Sequence, residues 1–196
     1  MRDLRGSGRL RRTVIGVLIG TALLGGCSEK HEANDTLPSP SAAETTEALP
    51  ALGPADFPVP DEARTKDAAG AEAFLRYFVD LINRQQDLPA GQPLRELAPE
   101  CQECMRIAQD LDQSRDAQRK YQGGELSVVG EFGTAIAGES ANLSFLARVE
   151  AGALLEPSGV PVPGTEAMTV ERLPSAAALT WSPESQCWQV EALNFG

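Results

Sequence analysis

The apolar spacing of this chain changes once, at Gly123-Gly124. Before the glycines, apolar residues recur at three- and four-residue steps. Ala71, Phe74, Phe78, Leu81 and Ile82 are one such series, and Cys104, Ile107, Ala108 and Leu111 are another. After the glycines the step is two, clearest in Leu143, Phe145, Ala147, Val149 and Ala151. A step of three to four puts side chains on one helix face, whereas a step of two puts them on one strand face. A chain that makes its helices first and its strands afterwards cannot alternate them into parallel βαβ units. It is expected to be α+β, with helices packed on one face of a curved antiparallel sheet of about four strands.

The first helix is predicted over Thr65 to Gln86, with Leu75 and Val79 widening its stripe. A short helix follows at Pro93 to Leu97. A third runs from Pro99 to about Tyr121, its polar second half read as a solvated face and Gly123-Gly124 as its stop. Strands are predicted over Glu125 to Phe132, Asn142 to Ala151, Glu166 to Trp181 and Cys187 to Phe195. In the last, Trp188, Val190 and Ala192 share a face. Pro174 interrupts the third strand, which suggests an edge position or a bulge. Leu154 to Gly164 is rich in Pro and Gly and reads as a connection.

The amino-terminal end has another character. Arg2, Arg5, Arg9, Arg11 and Arg12 precede the apolar run Thr13 to Leu24, which is followed by Gly25, Gly26 and Cys27. A basic start, a short apolar run and small residues make a secretory signal. The run is shorter than the roughly 20 residues of a membrane-spanning helix. Leu24-Gly25-Gly26-Cys27 resembles a lipobox, which implies that residues 1–26 are a lipoprotein signal peptide and that Cys27 carries the lipid (palmitate among its acyl chains). A plain signal peptide or an uncleaved anchor is the alternative. Two acyl chains suffice for stable anchoring because each buried methylene contributes about 0.8 kcal/mol.

Residues 27–60 contain Pro38, Pro40, Pro50, Pro54, Pro58 and Pro60 and no apolar period, so they are expected to be a disordered tether. Within them Phe57-Pro58-Val59-Pro60 is the expected docking contact on the domain, which is drawn at 61–196. From Cys27 onward the chain has 27 Asp and Glu against 12 Lys and Arg, a net charge of -15. That balance excludes nucleic acid as a partner, since phosphate binding needs a basic face. It also argues against docking on anionic lipid through the protein surface, so the membrane would be engaged through the lipid on Cys27.

Several stretches carry a family likeness: the lipobox, the Pro-rich tether, Pro58-Val59-Pro60-Asp61-Glu62-Ala63, Gly70 to Phe78, and Cys101-Gln102-Glu103-Cys104. With them the chain resembles an actinobacterial lipoprotein family of unknown function. The order of elements, with a long first helix and a final Trp188-Gln189-Val190 strand, resembles the nuclear-transport-factor-2-like fold. That fold, also called cystatin-like or SnoaL-like, is shared with ketosteroid isomerases and polyketide cyclases. The likeness implies a fold and an address, and no activity.

Cys101, Cys104 and Cys187 are the cysteines of the domain. An oxidising compartment favours pairing. Cys101–Cys104 is the expected disulfide because a short loop closes readily, while a bond from Cys187 to either remains open and would stabilise by about 3–5 kcal/mol through its longer loop. A redox-active dithiol is disfavoured by Glu100 and Glu103 beside it. Zinc needs four ligands, and the domain offers three cysteines and no histidine; His31, the single histidine, lies in the tether. No cofactor is expected. Enzymes of the resembled fold line a pocket with acids and bases, for which Asp80, Tyr77, Tyr121, Glu125, Glu131 and Arg148 are candidates. The sequence therefore points to a cell-membrane, lipid-anchored, extracytoplasmic binding or interaction module rather than an enzyme. Its partner would be an envelope protein or a small apolar ligand. The alternative is a cofactor-free isomerase or cyclase using a pocket carboxylate.

Overall fold

The computed structural model describes residues 51–196. The expected signal peptide, Cys27, His31 and the tether as far as residue 50 lie outside the described residues.

Helix α1 spans Ala68–Asp87. Asp67 caps it by accepting a hydrogen bond from the Gly70 N–H at 2.7 Å, which answers one of the four free donors of a helix start. The expected stripe of Ala71, Phe74, Phe78, Leu81 and Ile82 is buried, as are Leu75 and Val79. Helix α2 spans Gln92–Leu97 and buries Leu94 and Leu97. Helix α3 spans Gln102–Asp116.

α3 ends five residues before the expected Tyr121. The reason is local: the Gln118 N–H donates to the Arg115 carbonyl at 2.9 Å and the Arg119 N–H to the Ser114 carbonyl at 2.8 Å. Gln118 itself is left-handed, at φ 55°. This pair of bonds is a Schellman stop made without glycine. Gly123-Gly124 serve elsewhere. Gly123 has φ 67° and lies so close to the next chain segment that a Cβ would stand 2.2 Å from the Ala151 carbonyl oxygen.

Six strands follow among the described residues: β1 (Lys120–Gly123), β2 (Leu126–Ala137), β3 (Ser140–Val149), β4 (Gly152–Leu155), β5 (Val170–Ser182) and β6 (Cys187–Phe195). The main sheet has the expected four antiparallel strands, in the order β2-β3-β5-β6. β1 and β4 form a separate antiparallel ribbon that the sequence pattern did not disclose, since four residues are too few to display a period. β5 begins at Val170 rather than Glu166, because Ala167 is bridged to Gly152 beside β4 instead. Pro174 stands opposite Leu146 of β3, in a part of β5 that extends past the last partner of β6, Ser175↔Phe195. One flank of the proline thus has no strand beside it, which is how a central strand tolerates the missing N–H.

The alternation of β6 also departs from expectation. The pairing jumps from Leu179↔Val190 to Ala178↔Ala192, which leaves Glu191 as a bulge residue. Val190 and Leu193 are buried and Ala192 is exposed, so the face changes by one residue after the bulge.

One face of the sheet, with Leu143, Phe145, Leu179, Trp188 and Val190, packs against the helices. Trp188 is fully buried, and its indole N–H donates to the Thr65 carbonyl at 2.9 Å. The folded part starts before residue 61. Val59 is buried, Phe57 stacks on Tyr77 with ring centroids 5.2 Å apart, and Leu52 packs on the core. The Tyr77 hydroxyl donates to the Phe57 carbonyl at 2.9 Å, and Arg84 binds both oxygens of Asp56. Residues 52–60 are therefore an arm laid along α1.

Candidate functional site

α3 does not lie flush on the sheet along its whole length. Three basins border it in succession. The first, about 1080 Å³, opens between Glu100, Gln102, Glu103 and Arg106 on one side and Asn142, Leu179, Glu191 and Leu193 on the other. The second, about 350 Å³, is also bordered by Glu103 and Arg106, and reaches Gln86, Asp110 and Tyr121. The third, about 440 Å³, shares those last three residues and ends against Gly152, Ala153 and Leu154 of the ribbon. The shared residues place the basins end to end along α3, as a groove partitioned at Arg106 and at Tyr121. Fifteen helical residues correspond to about 22 Å of length.

The middle of the groove has an apolar floor and a charged rim. Ile107, Tyr121, Leu126 and Phe195 are half-buried there, above the buried Ile82 and Leu111. At the rim, Arg106 holds Glu103 through Nε and Nη2 at 3.0 and 2.5 Å, and reaches Asp110 through Nη1 at 2.8 Å. Steps of three and four residues place these three side chains on one helix side. Arg106 holds the Glu103 carboxyl below the usual glutamate range by direct hydrogen bonding, so it stays ionised. Deeper in, the buried Ser114 hydroxyl donates to the Asp110 carbonyl at 2.8 Å and lies 3.2 Å from the Tyr121 hydroxyl. This bond fixes the phenol at the wall between the second and third basins.

Of the six polar candidates, Tyr121 lines the groove and the others do not. Tyr77 is bound to the arm carbonyl. Asp80 is an exposed α1 residue whose carboxyl is pushed up by partial burial, against the opposing pull of Arg76. Glu125 and Glu131 are exposed, and Arg148 pairs with Glu150 and Glu171. The residues that build the rim, Glu103, Arg106 and Asp110, were legible as an i, i+3, i+4 charge pattern around Ile107. They were passed over because Ile107 reads as a core residue.

Cys101 and Cys104 form the disulfide. Both are buried, and Cys101 Sγ also accepts from the Cys104 N–H at 3.1 Å at the start of α3. The bond thus pins the end of α3 where the first basin begins. Cys187 is a free thiol, buried, and burial pushes its pKa up to about 11. Among the described residues there is no group of His, Cys, Asp or Glu arranged to hold a metal ion. No helix among them is long and apolar enough to cross a membrane.

No family model matches the chain, and no curated protein matches it. Solved structures with a similar fold include the intermembrane space region of the chloroplast protein ARC6, at 16% identity and TM-score 0.43 over 67% of this chain and 97% of that one. A protein called Rd1NTF2_05, carrying five substitutions, is similar at 10% identity and TM-score 0.38 over 64% and 99%. A domain of unknown function with a cystatin-like fold from Nostoc punctiforme is similar at 16% identity and TM-score 0.38 over 63% and 75%. At such identities the likeness concerns fold alone.

Proposed function

We propose that this domain is a binding module of the cell envelope, tethered to the membrane by lipid on Cys27, and that a segment of a partner protein lies in the groove along α3. The observation that carries this is the form of the groove. It is long and open, whereas a site for a small molecule encloses most of its ligand. An open groove with half-buried apolar side chains suits a chain segment that brings its own covering surface. The chemistry at the rim supports binding in preference to catalysis. A general base needs a carboxylate tuned toward neutrality, and Glu103 is tuned the other way.

A photo-crosslinking residue placed at Ile107 in the living cell tests this. One envelope protein should be captured through one short segment, and a crosslinker at the exposed Glu184 should not capture it. Equal capture from both positions would remove the groove from consideration.

A further inference from the structure

We infer that the groove selects a basic, extended segment in which apolar and cationic side chains alternate. This rests on the groove being the segment-binding site, and it adds the chemistry of the partner.

The first support is charge. Residues 51–196 hold 22 Asp and Glu against 11 Lys and Arg. Most of those cations are already engaged: Arg106 with Glu103 and Asp110, Arg95 and Arg115 with Asp112, Arg119 with Glu156, Arg84 with Asp56, Lys66 with Glu139, and Arg148 with Glu150 and Glu171. At the wide end of the groove Glu100 and Glu191 face the same basin, and no ion pair involves either among the described residues. Glu191 accepts one hydrogen bond, from the neutral Thr180 hydroxyl at 2.9 Å, which leaves its charge uncompensated. Arg106 is shared by two carboxylates and leaves the rim net negative. A cation brought to this end meets unneutralised carboxylates, while an anion meets repulsion.

The second support is shape. An extended chain rises about 3.3 Å per residue, so a groove of about 22 Å takes six or seven residues. Side chains of an extended segment point alternately to opposite sides. One set would enter the floor at Ile107, Tyr121 and Phe195, and the other would leave the groove past the rim, where a long cationic side chain reaches back to the carboxylates. The chain's own residues 28–50 carry Glu29, Glu32, Asp35, Glu44 and Glu47 against Lys30, and so do not supply a basic segment. A second copy of the domain carries the same negative excess. The chain's own basic stretch, Arg2 to Arg12, would leave with the expected signal peptide, so a foreign basic segment remains.

The test uses the purified full chain in detergent and three fluorescent seven-residue peptides, in which Leu alternates with Lys, with Ser or with Glu. The Leu/Lys peptide should bind at least tenfold more tightly than the other two, and this advantage should shrink as salt screens the rim. The double variant Glu100→Lys, Glu191→Lys should weaken the Leu/Lys peptide at least tenfold and leave the Leu/Ser peptide unchanged. Ile107→Asp should abolish binding, and shifts of the Ile107 and Leu126 methyl resonances on adding peptide should report the same site if that variant does not fold. Equal binding of the Leu/Lys and Leu/Ser peptides, both lost in Ile107→Asp, would overturn the charge preference and leave the groove as a segment site. Absence of binding by all three peptides, or peptide shifts confined to other methyls, would overturn both.

Discussion

Gln118 occupies a backbone region that favours glycine, and it does so at the point where α3 must stop. A left-handed residue with a Cβ carries a strain of about 1 kcal/mol. Gln118→Gly should therefore raise stability by about 1 kcal/mol, read as a higher midpoint in urea unfolding, with α3 unchanged. A lower midpoint would mean that the Gln118 side chain contributes more than its backbone costs. Two other residues are expected to weaken the fold at alkaline pH. Burial pushes Tyr77 up to about 12, with the nearby Cys187 adding to the rise, and burial pushes Cys187 up to about 11. The ordinary values are 9.0 for Cys187 and 10.0 for Tyr77. Both groups hold their protons longer in the native state than in the unfolded one. Their contribution is complete below pH 9 and is lost as pH rises through 11 and 12, at roughly 1.4 kcal/mol per pH unit for each group while it titrates. Melting temperature measured against pH should decline from about pH 9, and in Cys187→Ala the decline should begin nearer pH 10. An unchanged onset would show that the thiol is not the first group to respond.

At the scale of elements, the sequence pattern was legible where elements are long and failed where they are short or interrupted. The stripe on α1 and the alternation of β3 were readable because many residues repeat one spacing. The first half of β1 was hidden in the end of a predicted helix, since nothing in Lys120-Tyr121 competes with helical spacing. β6 was misphased after Val190, since a bulge leaves no mark on composition. The groove was less legible than the fold. Its floor draws on α1, α3, β1, β2 and β6, and no spacing along the chain announces that Ile107 and Phe195 share a cavity. The disulfide belongs to this scale too, because it secures the start of α3. Closing a loop as short as Cys101 to Cys104 is worth about 2 kcal/mol on the chain-entropy account. Replacing both cysteines with Ala should cost about that amount in urea unfolding. The change should also loosen amide protection first over Glu103 to Ile107. Loss of protection spread evenly over the sheet would contradict a local role.

At the scale of the whole molecule, an acidic domain and a proposed lipid on Cys27 divide two tasks between two parts of the chain. An acidic domain surface is repelled by anionic headgroups, so on the proposed arrangement the lipid would supply the attachment. Cys27→Ser should release the protein from the membrane fraction into the soluble fraction. A variant that still sediments with membranes would show that another element holds it there. The groove and the anchor are then separable: the Cys27→Ser protein should bind the same peptides as the parent chain.

The arm of residues 52–60 has a mechanical consequence. Its hold on α1 comes from the Phe57–Tyr77 stack, one phenol hydrogen bond and the Arg84–Asp56 pair. Gly53, at φ 81°, tucks against the Tyr77 hydroxyl, where a Cβ would stand 2.2 Å away. A pull directed through the amino-terminal side of the chain reaches these contacts before it reaches α1 or the sheet. Peeled to full extension, the nine residues reach at most about 30 Å. The arm is thus a link in series with the core, and under the proposed anchoring and partner binding it would yield first and spare the groove if the distance between membrane and partner changed.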